Sequence, residues 1–178
     1  MNNNLIVQIS EGLGNQLFMY AHAYALSKKL NKNLLIDNTT GYYKNKNLLR
    51  SHQKFMLDFL NVSEDYAPNY YRYDTIYRNI YKKLLLFIDN FKSNKSFLTE
   101  SIIKDDNKKI AINYSLHNLK LNKNIYVSGN FENENYFVNY RNDLMNIFSP
   151  KENFINSHSD IISKLKKSNS ISIHIRRD

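Results

Sequence analysis

LIVQISEGLGNQLFMYA, residues 5–21, is the stretch on which the fold turns. Its opening run LIVQI, residues 5–9, is short, apolar and rich in β-branched side chains, and it stops at Ser10 before a loop with glycine at 12 and 14. That is the pattern of a buried strand. Past the loop, Leu17, Phe18, Ala21, Ala25 and Leu26 recur at helical spacing, which predicts a helix from Asn15 to about Leu30. Lys28 and Lys29 fall in its last turn, where they complement the helix dipole. LLID, residues 34–37, reads as a second strand. Strand, glycine turn, helix, strand is a βαβ unit, and its right-handed crossover makes the two strands parallel members of one sheet.

Working outward, the fold class expected is α/β with a Rossmann-like parallel sheet. Residues 42–62 hold apolar spacing at Phe55, Met56, Phe59 and Leu60 and predict a short helix, and residues 72–91 predict a longer one beyond Pro68. FLTES, residues 97–101, and NIYVSGNF, residues 124–131, read as further strands, the second ending at Gly129. Residues 136–148 are amphipathic, with Phe137, Tyr140, Leu144, Ile147 and Phe148 inward, and Ser149-Pro150 stops that helix. The pattern then restarts: a helix over 155–167, a turn at 168–170, and ISIHI, residues 171–175, as an alternating strand with no partner following it. This divides the chain into a domain at 1–149 and, at 150–178, a linker helix with the first strand of a second domain. A sequence stopping there is expected to be part of a longer protein.

The 178 residues carry a formal charge of +9, which favours anionic partners. The basic pairs Lys28-Lys29, Lys82-Lys83, Lys108-Lys109 and Lys166-Lys167 sit on separate elements, so a solvated cationic surface is expected rather than a nucleic-acid stripe. With no cysteine there is no disulfide framework, thiolate nucleophile or cysteine-based metal site. The apolar run LLLFI, residues 84–88, is far short of the ~20 residues of a membrane span. The first residues lack a basic region followed by a long apolar one, so a cytoplasmic protein is expected.

Two segments carry chemistry. The G-x-G of Gly12 and Gly14, between a strand and a helix, suggests a phosphate-binding turn, and Asp37 ends the next strand where a dinucleotide fold keeps its ribose-binding carboxylate. The third glycine of that fingerprint would fall at 17, which is Leu17. A tight turn with positive φ would explain the glycines without any ligand. The Asn15-Gln16 pair suits a polyhydroxyl or phosphate ligand at a helix N-terminus, although Asn15 as a helix cap needs none. At the other end, His174, Arg176 and Arg177 lie at the C-terminal tip of a predicted strand, and two planar guanidinium forks there match a pyrophosphate.

With both ends read, the chain resembles the alpha-1,2-fucosyltransferases of glycosyltransferase family 11. The family's opening G-x-G-N-Q-(L/M)-F-x-Y-A stands here as GLGNQLFMYA, residues 12–21. Its G-Y-F-Q-S-E-K-Y-F stretch is partly matched by GNFENENYF, residues 129–137, and its H-x-R-R-x-D begins as HIRRD, residues 174–178. Met19, Asn130 and Glu132 depart from the usual residues, Glu11 stands where glycine is frequent, and Asp178 occupies the motif's variable position.

The resemblance implies a GT-B-like pair of Rossmann-type domains, transfer of L-fucose from GDP-fucose to a galactose 2-hydroxyl with inversion, and no metal or other cofactor; the sequence has no D-x-D motif. It further implies that Arg176 and Arg177 hold the β-phosphate, with Arg176 the catalytic cation, His174 shapes the donor site, and Gly12, Gly14 and Asn15 approach the phosphates. Glu11 is the candidate proton acceptor, with the departing phosphate as the alternative, and Glu132, Glu134 and Tyr136 are the candidate acceptor contacts, with the aromatic rings of 131–137 stacking on sugar faces except Phe137, whose helical spacing favours core packing. Family members run well past residue 178, so this stretch alone is expected to be inactive. The acceptor would be a galactose-terminated or lipid-linked glycan such as an O-antigen intermediate, compatible with a peripheral position at the inner face of the cell membrane. Two competing readings are a nicotinamide-dependent oxidoreductase using Gly12, Gly14 and Asp37, and a non-catalytic glycan- or anion-binding domain using the basic surface.

Overall fold

The structure, a computed structural model, describes residues 3–43, 54–100, 119–171 and 173. β1 (Asn4–Gln8), α1 (Leu13–Leu30) and β2 (Asn33–Asp37) form the expected βαβ unit, with Leu5 opposite Leu34 and Val7 opposite Ile36 in parallel register. Short 3-10 turns then lead to α2 (Ile76–Asp89), β3 (Asn94–Thr99) and β4 (Lys120–Ser128). After β4 come α3 (Arg141–Ile147), α4 (Glu152–Ser157) and α5 (Ser159–Lys166). The four strands are all parallel, in the order β2-β1-β4-β3, so the architecture is α/β with helices flanking one sheet.

Several boundaries differ from the sequence pattern for local reasons. β3 and β4 begin earlier than expected because polar residues join the ladder: Asn122 Nδ2 donates to Asn94 O at 3.2 Å and to Ser96 Oγ at 2.7 Å. The helix expected within 42–62 is only a 3-10 turn, Leu57–Phe59, with residues 44–53 outside the described part. Of 136–148, only Arg141–Ile147 is α-helical, preceded by 3-10 turns at Glu134–Tyr136 and Val138–Tyr140. The helix expected over 155–167 is divided at His158, whose ring stacks on Phe154 at 4.3 Å while its Nδ1 lies 2.8 Å from the Phe154 carbonyl oxygen. A side chain bonding that carbonyl competes with the helix ladder. Ile171 and Ile173 stand outside any strand and are exposed, and the rest of the expected last strand lies outside the described residues.

Strands buried on both faces alternate between two layers. Leu5, Val7, Ile36, Leu98, Ile125 and Val127 face α1, which supplies Met19, Tyr20, Ala23 and Leu26. Ile6, Phe97 and Tyr126 face the other way, onto Ala67, Tyr73 and, from α2, Leu85 and Leu86. Where the chain leaves β2 it crosses the end of β1 so closely that a Cβ at Gly41 would collide with the Ile9 carbonyl and with Ser10. Gly41→Ala is therefore expected to cost about 1–3 kcal/mol, read from a urea midpoint, because backbone rather than a movable side chain must give way.

His22 of α1 is fully buried in the first layer, its ring stacked on Phe131 at 3.9 Å and edge-on to Tyr136 at 5.2 Å, with no hydrogen-bond partner for either ring nitrogen among the described residues. Burial pushes its pKa from the ordinary 6.5 down to about 3, so the folded protein holds a neutral imidazole. Unfolded chains bind a proton below pH 6.5 and the folded one does not until about pH 3. The contribution is intact above pH 6.5 and is lost as pH falls through that window, at about 1.4 kcal/mol per pH unit. Denaturation midpoints at pH 7 and pH 5 should show a steeper loss for the native sequence than for His22→Leu; parallel slopes would remove this account.

Candidate functional site

The C-terminal ends of β1, β2 and β4 lie along one edge of the sheet, and it is along this edge that open α/β sheets bind ligands. In the loop after β1, the left-handed residue is Glu11 (φ 62°), not a glycine. Gly12 caps α1 at φ −83° and Gly14 is already helical. A Cβ built at either glycine meets nothing within 4 Å. The reading that these glycines serve a positive-φ turn is thus replaced: they leave open space over the first turn of an 18-residue helix. That helix has no side-chain cap and no acid in its first turn. Its first-turn N–H groups have no side-chain partner among the described residues, and with the positive end of the dipole they make an environment that favours an anion.

The adjacent amides divide the work. Gln16 is completely buried; its Nε2 donates to Glu11 O at 2.8 Å and Lys54 O at 2.7 Å, and its Oε1 accepts from Met56 N at 2.8 Å. It clamps the loop to the segment at 54–56 and cannot meet a ligand. Asn15 lies in the first turn, so it is not the cap, and its Nδ2 donates to Glu11 Oε2 at 2.8 Å. The result is an exposed carboxylate held beside the open end of α1. Tyr42 OH donates to Glu11 O at 3.4 Å, and burial together with the Glu11 charge raises the Tyr42 pKa, keeping its phenol protonated.

Tyr42 also lines a cleft of about 260 Å³ with Asn38, Thr39, Lys54, Phe55 and Asp74. Asn38 Oδ1 is buried there with no hydrogen-bond partner among the described residues. These residues come from three separated segments, and no spacing in the sequence announces them. A larger cleft, about 510 Å³ and lined by Asn4, Tyr24, Lys32 and Asp65, lies at the opposite, N-terminal ends of β1 and β2.

In the loop after β4 the structure separates residues that the sequence groups together. Gly129 (φ 155°) and Phe131 (φ 52°) make a sharp turn that buries the Phe131 ring completely, and Tyr136 is buried against it at 5.9 Å. Neither ring is available to stack on a sugar, which corrects the expectation for Tyr136 and Phe131. Glu132 and Glu134 remain at the surface, Glu134 3.8 Å from Arg141.

Asp37 is fully buried under the same edge. Its carboxylate accepts from the N–H groups of Thr39 and Thr40, from Thr40 Oγ1 and, at 2.7 Å, from Tyr126 OH. A carboxylate with all its lone pairs spent inside the protein cannot reach a ribose, so the nicotinamide reading loses its second element. Lys82, expected on the solvated surface with Lys83, is instead buried and reaches from α2 into this cluster: Nζ donates to Gln8 Oε1 at 2.6 Å and lies 4.4 Å from the centre of the Tyr126 ring. Burial lowers its pKa to about 8, against the opposing pull of Asp37. His174, Arg176, Arg177 and Asp178 lie outside the described residues.

Comparison with known proteins places the chain beside glycosyltransferases. It is 29% identical over 182 residues to an alpha-1,2-colitosyltransferase of Escherichia coli, covering 97% of this chain and 54% of that protein. It is likewise 29% identical over 183 residues to the O-antigen biosynthesis glycosyltransferase WbnK of Escherichia coli, covering 95% of this chain and 57% of that protein. The chain spans about half the length of the curated relatives it matches. No family model matches, and no solved structure matches.

Because the space over Gly14 is empty and the position is helical, Gly14→Ala should raise stability by up to about 1 kcal/mol. A thermal melt reads this directly, and a fall in the midpoint would show that the backbone there is not free to take a side chain.

Proposed function

We propose that this chain is the acceptor-side part of an alpha-1,2-glycosyltransferase that moves a deoxyhexose, with L-fucose from GDP-fucose as the first candidate donor, onto the 2-hydroxyl of a galactose in a surface glycan. The observation that carries the reading is the similarity, along nearly the whole chain, to two glycosyltransferases, one of them named for an alpha-1,2 linkage. The open, uncapped end of α1 with Glu11 held beside it supports the same reading.

In this mechanism the galactose 2-hydroxyl oxygen attacks the anomeric carbon from the face opposite the nucleotide, the bond to the diphosphate breaks, and the anomeric configuration inverts. Glu11 takes the hydroxyl proton, and Asn15 holds the carboxylate in place. The α1 N-terminus with Gly12 and Gly14 faces the diphosphate, and the guanidinium groups of Arg176 and Arg177, shaped by His174, neutralise it as it departs. Cationic side chains and helix N–H groups then do what a bound metal does in other transferases. The acceptor sugar enters from the cleft of Asn38, Tyr42 and Asp74, with Glu132 and Glu134 at its rim. In this reading the acceptor is presented at the cytoplasmic face of the membrane.

The test is a donor screen of the complete gene product with a galactoside acceptor, comparing GDP-fucose, nucleotide-activated colitose, GDP-mannose and UDP-galactose by release of GDP or UDP. Turnover is expected with the fucosyl or colitosyl donor. Turnover only with UDP-galactose, or tight NADH binding, overturns the proposal. Glu11→Gln should lower kcat by about 10²–10⁴-fold with little change in KM, while Arg176→Ala should abolish GDP binding. An undiminished rate in Glu11→Gln removes Glu11 from the role of base.

A further inference from the structure

Only Leu85 and Leu86 of the apolar residues of α2 pack inward. The others, Ile76, Tyr77, Ile80, Tyr81, Leu84, Phe87 and Ile88, continued by Phe91, fall on one face, and that face points to solvent. Tyr77 is 85% exposed, Ile80 61%, Phe87 62% and Phe91 78%. The two buried residues of the helix, Lys82 and Asp89, are both charged. Lys82 is tied to Gln8 at 2.6 Å, and the Asp89 carboxylate accepts from Ser96 N at 3.0 Å and Phe97 N at 3.1 Å. Two buried charged groups fix the rotation of the helix, so the stripe cannot turn into the core without stranding both.

An exposed apolar face of this size marks an interaction surface. Its charge selects the partner. Between residues 72 and 95 the only acids are Asp74 and Asp89; Asp89 is buried and Asp74 is paired with Arg78 at 3.2 Å. Lys83 on the helix and Lys92 just past Phe91 are exposed. Among the described residues of this segment the face therefore presents apolar bulk bordered by positive charge with no free acid, which complements an anionic lipid surface. A second copy of the chain fits less well, because each copy carries +9. The last described helices sit elsewhere: Phe154 of α4 rests on Phe59 at 4.8 Å, in the layer of α1 across the sheet.

We infer that α2 is an in-plane membrane anchor, its stripe from Ile76 to Phe91 lying in the headgroup and acyl boundary of an anionic bilayer with Lys83 and Lys92 against the lipid phosphates. α2 begins beside the loops of the candidate site, since Tyr73, three residues before it, bonds Thr40 through its backbone N–H at 2.7 Å. The anchored protein thus holds the open edge of the sheet near the lipid surface, within reach of a lipid-carried acceptor. The anchor itself does not depend on which sugar is transferred.

The experiment is sedimentation of the complete gene product with vesicles of phosphatidylglycerol and phosphatidylethanolamine, and with vesicles of phosphatidylcholine alone. Binding is expected to the anionic vesicles, with slowed hydrogen exchange over residues 76–91. Ile80→Ser/Leu84→Ser/Phe87→Ser should weaken binding at least about tenfold, and Lys83→Glu/Lys92→Glu should weaken it while leaving every apolar side chain in place. A protein that stays in the supernatant with anionic vesicles overturns the inference, as does a triple serine variant that binds as tightly as the native sequence. So does a dimer in sedimentation equilibrium that the triple variant makes monomeric without any vesicle binding, which would assign the stripe to a second copy. Loss of transferase activity in the donor screen with vesicle binding intact would sink the functional reading and leave the anchor standing.

Discussion

Everything in the structure is arranged around β1, which has a parallel neighbour on each edge and a packed layer on each face. Parallel strands need both faces covered and both ladders filled, and β1 meets that demand with five residues, four of them buried. Its last turn of chain then has to leave the sheet, and it does so at Glu11 in a left-handed conformation that costs an ordinary side chain of order 1–3 kcal/mol. The buried amide of Gln16, bonded to Glu11 O, holds that conformation in place. The strain and its support both sit where α1 opens to solvent.

The two layers are unequal. Under α1 the packing is apolar and aromatic, and it absorbs even an imidazole whose nitrogens have no hydrogen-bond partner among the described residues. Under α2 it is mixed, with Asp37, Tyr126, Gln8 and Lys82 forming a polar cluster among Ile6, Tyr73 and Phe97. Such a cluster is tolerable only when its members satisfy one another, because a lone charge in that position would cost several kcal/mol. It also decides which side of α2 faces out.

The sequence made the βαβ unit legible, since a β-branched run, a glycine loop and helical spacing are local signals. It also pointed to Glu11 and Asn15, which the structure brings to 2.8 Å. What it could not convey was which group turns inward. Gln16 and Asn15 are neighbours in an equivalent chemical state, and only the arrival of residues 54–56 from a distant segment buries one of them. The rings at 131 and 136 look like a sugar platform until the turn at Gly129 directs them into the core. The stripe of α2 carries the periodicity of a core-facing helix, and periodicity alone reports that a face is apolar, not what covers it. The cleft beside Tyr42 was invisible because it is assembled from residues far apart in the chain.

Gln16 ties three stretches of backbone together with one side-chain amide, and that has an evolutionary corollary. Lys54 and Phe55 line the cleft, and the Lys54 carbonyl and the Met56 N–H bond this amide, so any drift in that wall must keep its carbonyl and N–H in register with position 16. Cleft shape and foldability are thus coupled through one shared group of atoms, and descendants of this chain can diversify more freely on the Asn38 and Asp74 side of the cleft than on the Lys54 side.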